Sequence, residues 1–414
     1  MARKTDVVVI GAGQAGLATS HALSALGIDH VVIERGAVGE RWRNERWASL
    51  KLLSPNWMTR LPGWRYRGDD PEGFMHKDAV VRFLTRYGRG FGAPTLEYTR
   101  VRRVTAAGDD YRVETDRGAF LCRSVVLATG ACDTPAVPAA ARTLPAGIAQ
   151  FTTRSYAHPG TLPQGGVLIV GASATGAQLA EEIHLSGRPV TLAVGAHVPL
   201  PRSYRGSDIM EWMSHAGILG ERRSPGANNA AILRQPSLQL IGRTDRELSL
   251  QSLADLGVTL TGRLSGFDGP GAWFEPRLAA EIASAAQRRA RMLSRIDAYI
   301  DVAHPMAPKA ATPAPDHVPD DEIRSLDLAA RGIRSVLWAT GFRRDYSWLH
   351  LPILTREGEL MHDFGATPAP GVFAMGLPFM RRRNSVTIDG VGQDAVEIAA
   401  EIAAYLNHTE RKAA

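Results

Sequence analysis

Cysteine is too scarce in this sequence for a disulfide framework or a cysteine-rich metal site. The two cysteines, Cys122 and Cys132, stand ten residues apart, which fits neither a spaced zinc cluster nor a CxxC redox pair. The 12 histidines show no HxH or HExxH spacing. We therefore expect no bound metal, and a protein that works in a reducing, cytoplasmic compartment.

Long apolar runs and blocks of like charge are also missing. The longest stretch without an acidic or basic residue, 155–180, contains Pro159, Pro163 and five glycines, so it does not predict a membrane span. Asp6 and the glycines after Ile10 interrupt the first apolar run too early for a signal peptide. The 48 basic and 42 acidic residues give a net charge of +6, but the basic residues are dispersed arginines, which does not indicate a nucleic-acid surface.

One kind of unit occurs twice in the 414 residues. The first copy has a β-branched run at Val7–Ile10, the turn Gly11–Gly16, an apolar-periodic segment to Leu26, and a second run that ends at Glu34. The second copy, 160 residues later, has the run Val167–Val170, the turn Gly171–Gly176, a helical stretch, and the run Val190–Val194. Each copy predicts strand, turn, helix and strand, the unit that binds dinucleotides.

The residue types in the first turn suit a pyrophosphate. Gly11 permits the tight turn, Gly13 lets a phosphate approach the backbone, and Gly16 lets the helix pack on the strand. The helix that begins at Gln14 and Ala15 offers aligned N–H groups to the anion. Glu34, at the end of the second strand, is placed to accept hydrogen bonds from the hydroxyls of an adenosine ribose.

The second turn differs in two ways that bear on its ligand. It reads GxSxxG, with Ser173 at the middle position among Gly171, Ala174, Thr175 and Gly176. Its second strand ends without an acid and is followed by Arg202 and Arg205, which could pair with a 2′-phosphate. We therefore predict NADP rather than NAD at this turn, although the two arginines could also belong to a solvated loop.

Two further strands end alike, at Ala128-Thr129-Gly130 and at Ala339-Thr340-Gly341. Their positions predict a nested α/β fold with two Rossmann-like, three-layer domains. We expect residues 1–154 and 335–414 to form one discontinuous domain, and residues 155–334 to form a second domain inserted into it, with a helical insertion near 278–302.

With these motifs the sequence resembles the flavoproteins with two dinucleotide-binding domains, a class that includes flavin-containing, Baeyer-Villiger and auxin-forming monooxygenases. The resemblance covers nearly the whole chain and is closest to short bacterial members. It implies FAD at the first turn and NADPH at the second. It also implies that O2 is consumed through a C4a-hydroperoxide of the flavin, and that one oxygen atom passes to a small organic substrate.

The resemblance assigns further residues to the cofactors. Asn56 is the candidate catalytic residue, in contact with nicotinamide or flavin. The cofactor-binding assignments from the resemblance are Arg35, Arg41, Trp42, Leu52, Val101, Ala128, Thr129, Gly130, Thr340 and Gly341.

The carboxy-terminal segment adds a predicted helix start at the flavin. An apolar face with a 3.6-residue period follows Gly390 and Gly392, so the positive end of this helix would point at the flavin pyrimidine. Asp389 is expected to bond the ribityl chain or to cap this helix. We interpret Arg381-Arg382-Arg383 as a solvated loop, with a site for an anionic substrate or cofactor phosphate as the alternative.

One motif of the resembled class is incomplete. At Gln150–Pro159, Tyr156 matches, but threonine stands where a histidine is expected. The tyrosine favours N- or S-oxygenation over Baeyer-Villiger chemistry, while the missing histidine keeps open an FAD-dependent NADPH oxidase or reductase, or a non-catalytic role. Disulfide reduction needs a vicinal cysteine pair that the sequence lacks. The expected partners are a small-molecule substrate and O2, and the oligomeric state, including a homodimer, stays open.

Overall fold

The structure is a computed structural model that describes residues 2–224, 238–244, 247–311 and 322–413. In chain order its helices are α1 (Gln14–Ala25), α2 (Glu40–Asn44), α3 (Lys77–Gly90), α4 (Ala174–Leu185), α5 (Ile209–His215), α6 (Leu250–Asp255), α7 (Leu278–Ala303) and α8 (Val391–Ala413). Short 3-10 turns occur at Asn56–Met58, Ala139–Thr143 and Pro159–Thr161. Within these ranges no helix combines the length and apolar character needed to cross a bilayer.

The strands of the described residues, also in chain order, are β1 (Arg3–Ile10), β2 (His30–Ile33), β3 (Arg60–Leu61), β4 (Trp64–Arg65), β5 (Thr95–Leu96), β6 (Val101–Ala107), β7 (Asp110–Thr115), β8 (Gly118–Leu127), β9 (Thr134–Pro135), β10 (Ala149–Thr152), β11 (Gly166–Val170), β12 (Val190–Ala193), β13 (Val198–Pro199), β14 (Ser203–Tyr204), β15 (Ser207–Asp208), β16 (Leu238–Gln239), β17 (Thr259–Thr261), β18 (Leu264–Asp268), β19 (Gly271–Phe274), β20 (Ser325–Asp327), β21 (Ile333–Trp338), β22 (Phe342–Arg343) and β23 (Val372–Ala374).

The first sheet has β1 at its centre. Strands β2 and β8 flank β1 in parallel, β5 extends the sheet beyond β2, and β23 pairs in parallel with β8. The amino-terminal part of β8 pairs antiparallel with β7, and β7 pairs antiparallel with β6. Residues Val7–Ile10 of β1 are buried at the centre of this sheet, and α1, which follows β1, packs against α8 and α3.

The second sheet is parallel throughout, in the order β10-β21-β11-β12-β17. All five residues of β11 are buried, as expected for a central parallel strand. Helix α4 connects β11 to β12 and α6 packs on α4. Helix α7, predicted over 278–302, places Ile296 and Ile300 in a separate core with Trp212 of α5.

The strand pairing differs from the predicted domain boundaries at both ends. Strand β10 lies before residue 155 and β21 runs across residue 335, yet both pair within the second sheet. The chain crosses between the two units twice, and β9 pairs antiparallel with β22 at the crossing. We refer to the unit around β1 as the first unit and to the unit around β11 as the second unit.

Candidate functional site: two dinucleotide turns

The first glycine turn is as tight as the sequence predicts. Gly11 adopts φ +110°, and a Cβ there would lie 2.5 Å from the Ala128 carbonyl oxygen at the end of β8. A Cβ on Gly16 would overlap with the Gly11 carbonyl, so a side chain at either position would separate α1 from β1.

Gly13 has a different environment, because no atom lies within 4 Å of the place where its Cβ would be. It is the N-cap of α1 and carries no capping side chain. The N–H groups of Gln14 and Ala15 therefore lie beside open space, where a helix start attracts an anion. This cradle, which a side chain at Gly13 would fill, fits the pyrophosphate of a dinucleotide.

Glu34 is fixed at the edge of the same turn. Its carboxylate is buried and accepts hydrogen bonds from the Ala12 N–H (2.8 Å) and the Gly36 N–H (3.1 Å). Each oxygen has a further lone pair free of these two bonds. The predicted role of Glu34 as a ribose acceptor is compatible with this geometry.

The second turn repeats the first almost atom for atom. Gly171 adopts φ +106°, a Cβ on it would lie 2.6 Å from the Ala339 carbonyl oxygen, and a Cβ on Gly176 would overlap with the Gly171 carbonyl. Ser173 has the same extended backbone as Gly13, with φ −74° and ψ −171° against −81° and −171°. Ala174 and Thr175 begin α4 as Gln14 and Ala15 begin α1.

The two Ala-Thr-Gly loops hold equivalent places behind these turns. Gly130 and Gly341 have φ of +80° and +88°. Thr340 donates its hydroxyl to the Ala136 carbonyl at 2.7 Å, which ties the second loop to the crossing connection.

Arg41 and Arg35, which were predicted to contact the cofactor, lie near the loop Ala128-Thr129-Gly130 and make hydrogen bonds to protein atoms there. Arg41 donates to the Thr129 carbonyl (3.2 Å), to the Cys132 carbonyl, and to Asp133 (2.5 Å). Arg35 donates to Glu45 at 2.7 Å. These hydrogen bonds hold both guanidinium groups in place, and the contact of either group with a cofactor stays a prediction.

Asn56 is buried, with one side-chain atom left unpaired. Its Nδ2 donates to the Asp70 carbonyl at 2.8 Å and its backbone N–H to the Gly73 carbonyl at 2.8 Å. The amide is therefore oriented, and its Oδ1 has no hydrogen-bond partner in the described residues. A buried acceptor without a partner is costly, which is consistent with a ligand that donates to it.

Of the remaining predicted flavin residues, Trp42 and Leu52 lie near the junction of the two units, whereas Val101 lies on the outer strand of the first sheet. Trp42 packs against both main cores, and Leu52 is buried in the first core with its N–H bonded to the Met75 carbonyl. Val101 begins β6, opposite Thr115. The positions of Trp42 and Leu52 agree with a site between the units.

Helix α8 begins where the sequence predicts a helix start. A Cβ on Gly392 would lie 2.9 Å from Cδ of Pro62, so the helix start abuts the segment that follows Asn56. Asp389 accepts a hydrogen bond from Nε of Arg60 and one from Asn384 at 3.4 Å. Asp389 is thus tied to this junction by Arg60, and its predicted role at the ribityl chain or as the helix cap stays a prediction.

Arg202 does not face the second turn. It is 4% exposed, forms a two-pronged ion pair with Asp208 (2.6 and 2.5 Å), and donates to the Leu53 carbonyl at 2.6 Å. Burial lowers the pKa of its guanidinium, and Asp208 opposes that shift. The prediction that Arg202 contacts a 2′-phosphate is wrong, because Asp208 and the Leu53 carbonyl already occupy its hydrogen-bond donors.

The guanidinium group of Arg205 is also occupied by protein partners. Its guanidinium pairs with Asp297 (3.0 Å) and Asp301 (2.7 Å) of α7 and donates to the Pro308 carbonyl. Hydrogen bonding to Asp301 raises its pKa. Arg205 therefore holds helix α7 in place. The prediction that it contacts the 2′-phosphate is also wrong.

The arginines that do reach the end of β12 come from elsewhere in the chain. The Val194 N–H bonds to the Thr261 carbonyl, so β12 and β17 end together, and the Arg263 guanidinium lies 3.6 Å from the place of a Gly195 Cβ. Arg288 of α7 donates to the His197 carbonyl at 3.0 Å. The apolar run Val258–Thr261 marks the third strand of this unit and could have pointed to Arg263.

The Arg381–Arg383 run is neither solvated nor free for an anion. Arg381 pairs with Glu397 (2.8 Å) and Glu401 (2.6 Å), and Arg383 pairs with Glu221 (2.9 Å). Arg382 pairs with the fully buried Asp394 of α8. Both interpretations of this run, a solvated loop and an anion site, are therefore wrong. Its arginines form ion pairs that join α8 to the second unit.

Cys122 and Cys132 are free thiols and do not form a disulfide with each other. Cys122 is buried in β8, and burial raises the pKa of its thiol to about 12. Cys132 is half-buried beside Arg41. Among the described residues, no three His, Cys, Asp or Glu side chains are grouped so that they could hold a metal ion.

Comparison with known proteins agrees with this arrangement. The pyridine nucleotide-disulphide oxidoreductase family matches residues 8–204. The oxidoreductase CzcO-like of Geobacillus kaustophilus is 30% identical over 406 residues, which cover 97% of this chain and 99% of that protein. The chain belongs to the CzcO-like oxidoreductases. Indole-3-pyruvate monooxygenase YUCCA6 of Arabidopsis thaliana is 29% identical over 233 residues, which cover 50% of this chain and 54% of the plant protein.

Solved structures support the predicted fold class. A flavin-containing monooxygenase from Stenotrophomonas maltophilia aligns with a TM-score of 0.67 and 20% identity, over 98% of this chain and 99% of its own. A bacillithiol disulfide reductase from Bacillus cereus aligns with a TM-score of 0.61 and 16% identity, over 97% and 99%. The predicted α/β fold with two Rossmann-like domains, and the resemblance to flavoproteins of this class, are confirmed. The enzyme is an oxidoreductase of a class that uses FAD and a nicotinamide dinucleotide.

Proposed function

We propose that this enzyme is an FAD-dependent, NADPH-consuming monooxygenase that transfers one oxygen atom of O2 to a small organic substrate, with N- or S-oxygenation favoured over Baeyer-Villiger chemistry. The observation that carries the proposal is the matched pair of glycine turns on adjoining units. Two dinucleotides held at one junction can exchange electrons directly. The relatives named monooxygenases support the use of O2.

FAD is assigned to the first turn. Gly11, Gly13 and Gly16 admit its pyrophosphate, the amides of Gln14 and Ala15 bind it, and Glu34 accepts from the ribose. The start of α8 supplies a positive dipole for the pyrimidine end of the ring. When bound, FAD accepts a hydride from NADPH and reacts with O2.

NADPH is assigned to the second turn. Gly171, Ser173 and Gly176 admit the pyrophosphate, and the first amides of α4 bind it. Asn56, whose Oδ1 is buried and unpaired, accepts from an amide or ring N–H at the junction. Trp42 and Leu52 restrict water there, which strengthens polar contacts to the bound molecules.

The preference for NADPH is assigned to Arg263, with Arg288 beside it. The loop after β12, residues 194–197, contains no acid that would repel a 2′-phosphate, and Arg263 lies next to Gly195 in that loop. Arg263 is half exposed and has Glu281 at 3.7 Å, so its guanidinium keeps donors for a phosphate.

A second candidate function is an FAD-dependent NADPH oxidase or reductase that does not oxygenate a substrate. Thr152 and Thr153 stand where the resembled monooxygenases have a histidine, and Thr153 is buried. Tyr156, which matches that motif, donates its hydroxyl to Glu182 at 2.7 Å and is itself buried, so its role here is structural.

The deciding experiment follows oxygen atoms and electrons together. The FAD-loaded enzyme is titrated with NADPH without oxygen, and 18O2 is then added with a panel of amines and thioethers. A monooxygenase gives a product with one labelled atom for each NADPH consumed. Hydrogen peroxide equal to the NADPH consumed, with no labelled product, would identify the oxidase instead.

A further inference from the structure

A cleft of about 580 Å3 opens where the two connections between the units cross, and we call it the crossover cleft. Its polar lining comes from Thr134, Thr152, Arg154, Ser155 and Arg343, and its apolar wall from Pro135 and Val137. Strands β9 and β22, which carry Thr134 and Arg343, pair with each other at its base. Its size and half-apolar lining suit a small organic molecule.

The cleft lies at the binding edge of the second sheet but outside the dinucleotide turn. Thr152 ends β10, and the loop after β21 leads directly into β22. Ligands of open α/β sheets bind outside the carboxyl ends of the strands. The turn assigned to NADPH follows β11, and β21 separates that strand from β10.

Positive charge is in excess around the crossover cleft. Arg154 and Arg343 line it, and Arg35, Arg41 and Arg46 lie near it, together with the carboxylates of Glu45, Asp133 and Asp345. Glu45 pairs with Arg35 (2.7 Å) and Arg154 (3.0 Å), and Asp133 pairs with Arg41 (2.5 Å).

Among the arginines that line the crossover cleft, Arg343 has hydrogen-bond donors that no acidic side chain occupies. It is exposed and forms no ion pair with any described residue. Its charge acts on Asp345, whose pKa is lowered mainly by hydrogen bonds from Ser347 and to a smaller extent by the charge of Arg343. A planar guanidinium with free donors, facing a cleft, is suited to a carboxylate.

We propose that the crossover cleft binds the carboxylate of a small organic acid, with Arg343 as its main partner and Arg154 as the second. The hydroxyl-lined face accommodates the acid group, and Pro135 and Val137 contact the hydrocarbon part. A free phosphate fits less well, because the apolar wall offers it no partner. This site goes beyond the proposed function, which assigns no residues to any molecule besides the two dinucleotides.

Isothermal titration calorimetry on the full-length, FAD-loaded protein without NADPH tests the site. The probes are benzoate, phenylacetate and indole-3-acetate, each compared with its neutral amide. We expect at least one acid to bind about tenfold more tightly than its amide, a difference of about 1.4 kcal/mol, because a charge-assisted hydrogen bond is stronger than a neutral one. Arg343→Gln should remove this difference, and Arg343→Lys should restore part of it.

The matched control is Arg356→Gln, which changes another exposed arginine and should leave acid binding unchanged. Equal affinity for all acids and amides would overturn the proposal, as would equal effects of Arg343→Gln and Arg356→Gln. A separate titration with NADPH completes the test: if Arg343→Gln weakened NADPH binding and left acid binding intact, the cleft would serve a cofactor phosphate and the proposal would be overturned. Calorimetry reports binding without turnover, so this outcome is independent of the oxygenation test.

Discussion

Gly13 and Gly16 lie three residues apart in one turn, and a side chain has opposite consequences at the two. Gly13→Val places its side chain in open space, so the chain should fold normally but lose most of its FAD. Gly16→Ala forces a methyl group into the Gly11 carbonyl and should destabilise the protein by about 1–3 kcal/mol. FAD absorbance per chain and thermal unfolding of the FAD-free protein separate the two effects. Full FAD retention by Gly13→Val would contradict the assignment of the first turn.

Arg263 is expected to set the choice between the two nicotinamide dinucleotides. Arg263→Gln should raise the KM for NADPH about tenfold and change the KM for NADH little, because only NADPH carries the 2′-phosphate. Arg331→Gln, an exposed arginine of the same unit, is the control. An equal rise in both Michaelis constants would show that Arg263 acts on the fold and not on the phosphate.

The cysteines allow a direct test against disulfide chemistry. Cys122 is buried with a pKa of about 12, so almost none of it is thiolate near neutral pH. The double variant Cys122→Ser, Cys132→Ser should therefore reduce its flavin with NADPH at the wild-type rate, measured by anaerobic stopped-flow absorbance. A loss of more than tenfold, in a variant that keeps its FAD, would favour a thiol-based reaction.

At the scale of elements, the segment before β23 contains a titratable group that ties stability to pH. Burial, with the charges of Arg223 and Arg344, lowers the pKa of His362 to about 4 from an ordinary 6.5. The unfolded chain thus takes up a proton between pH 6.5 and 4 while the folded chain does not. The contribution of His362 is present above pH 6.5 and is lost as the pH falls through 4.

His362→Gln removes this titration. From pH 7.5 to pH 5 we expect the wild type to lose about 1–2 kcal/mol more of its unfolding free energy than the variant, measured by urea unfolding at both values. Parallel losses in both proteins would mean that His362 is accessible to protons in the folded state.

Helix α8 shows why the arginine run could not be interpreted from the sequence. Its acidic partners Asp394, Glu397 and Glu401 repeat at helical spacing and are visible in the sequence. However, which charged face of a helix meets which loop depends on tertiary packing. Glu221, the partner of Arg383, lies 162 residues away in the second unit, and no local pattern connects them.

At the scale of the molecule, the two units contact each other at several points beyond their connections. Backbone hydrogen bonds join the Arg223 N–H to the Arg381 carbonyl (2.9 Å) and the Arg383 N–H to the Glu221 carbonyl (3.0 Å). On another side, Gly242 packs so closely on the segment 51–53 that a Cβ would overlap with the Leu52 carbonyl. The junction that holds Asn56 is therefore fixed from two directions.

Gly242→Ala should push the second unit away from Leu52 without disturbing either glycine turn. We expect normal FAD content and a rate of flavin reduction by NADPH that falls about tenfold or more, because a shift of about 1 Å between reacting groups has that cost. Gly266→Ala, where no atom lies within 4 Å of the new Cβ, is the control. Unchanged reduction in Gly242→Ala would show that hydride transfer tolerates looser docking of the units.

The local parts of the site could be predicted from the sequence because their chemistry is local. The turns at Gly11 and Gly171 need glycine for backbone reasons alone, and their position after β-branched runs fixed the fold class. Arg202 and Arg205 were misassigned because sequence distance from Gly195 is a poor guide to spatial distance. The chain turns away after β12, and the neighbouring position is filled from β17, across the sheet.

The pairing of β9 with β22 brings the two boundaries of the inserted unit side by side, with Pro135 opposite Phe342. A module whose ends meet can be excised at one point and the remaining chain closed by a short linker, as in natural domain insertions. The pair β9–β22 is therefore the place at which to delete the second unit, and the deletion variant would show whether the first unit folds without it.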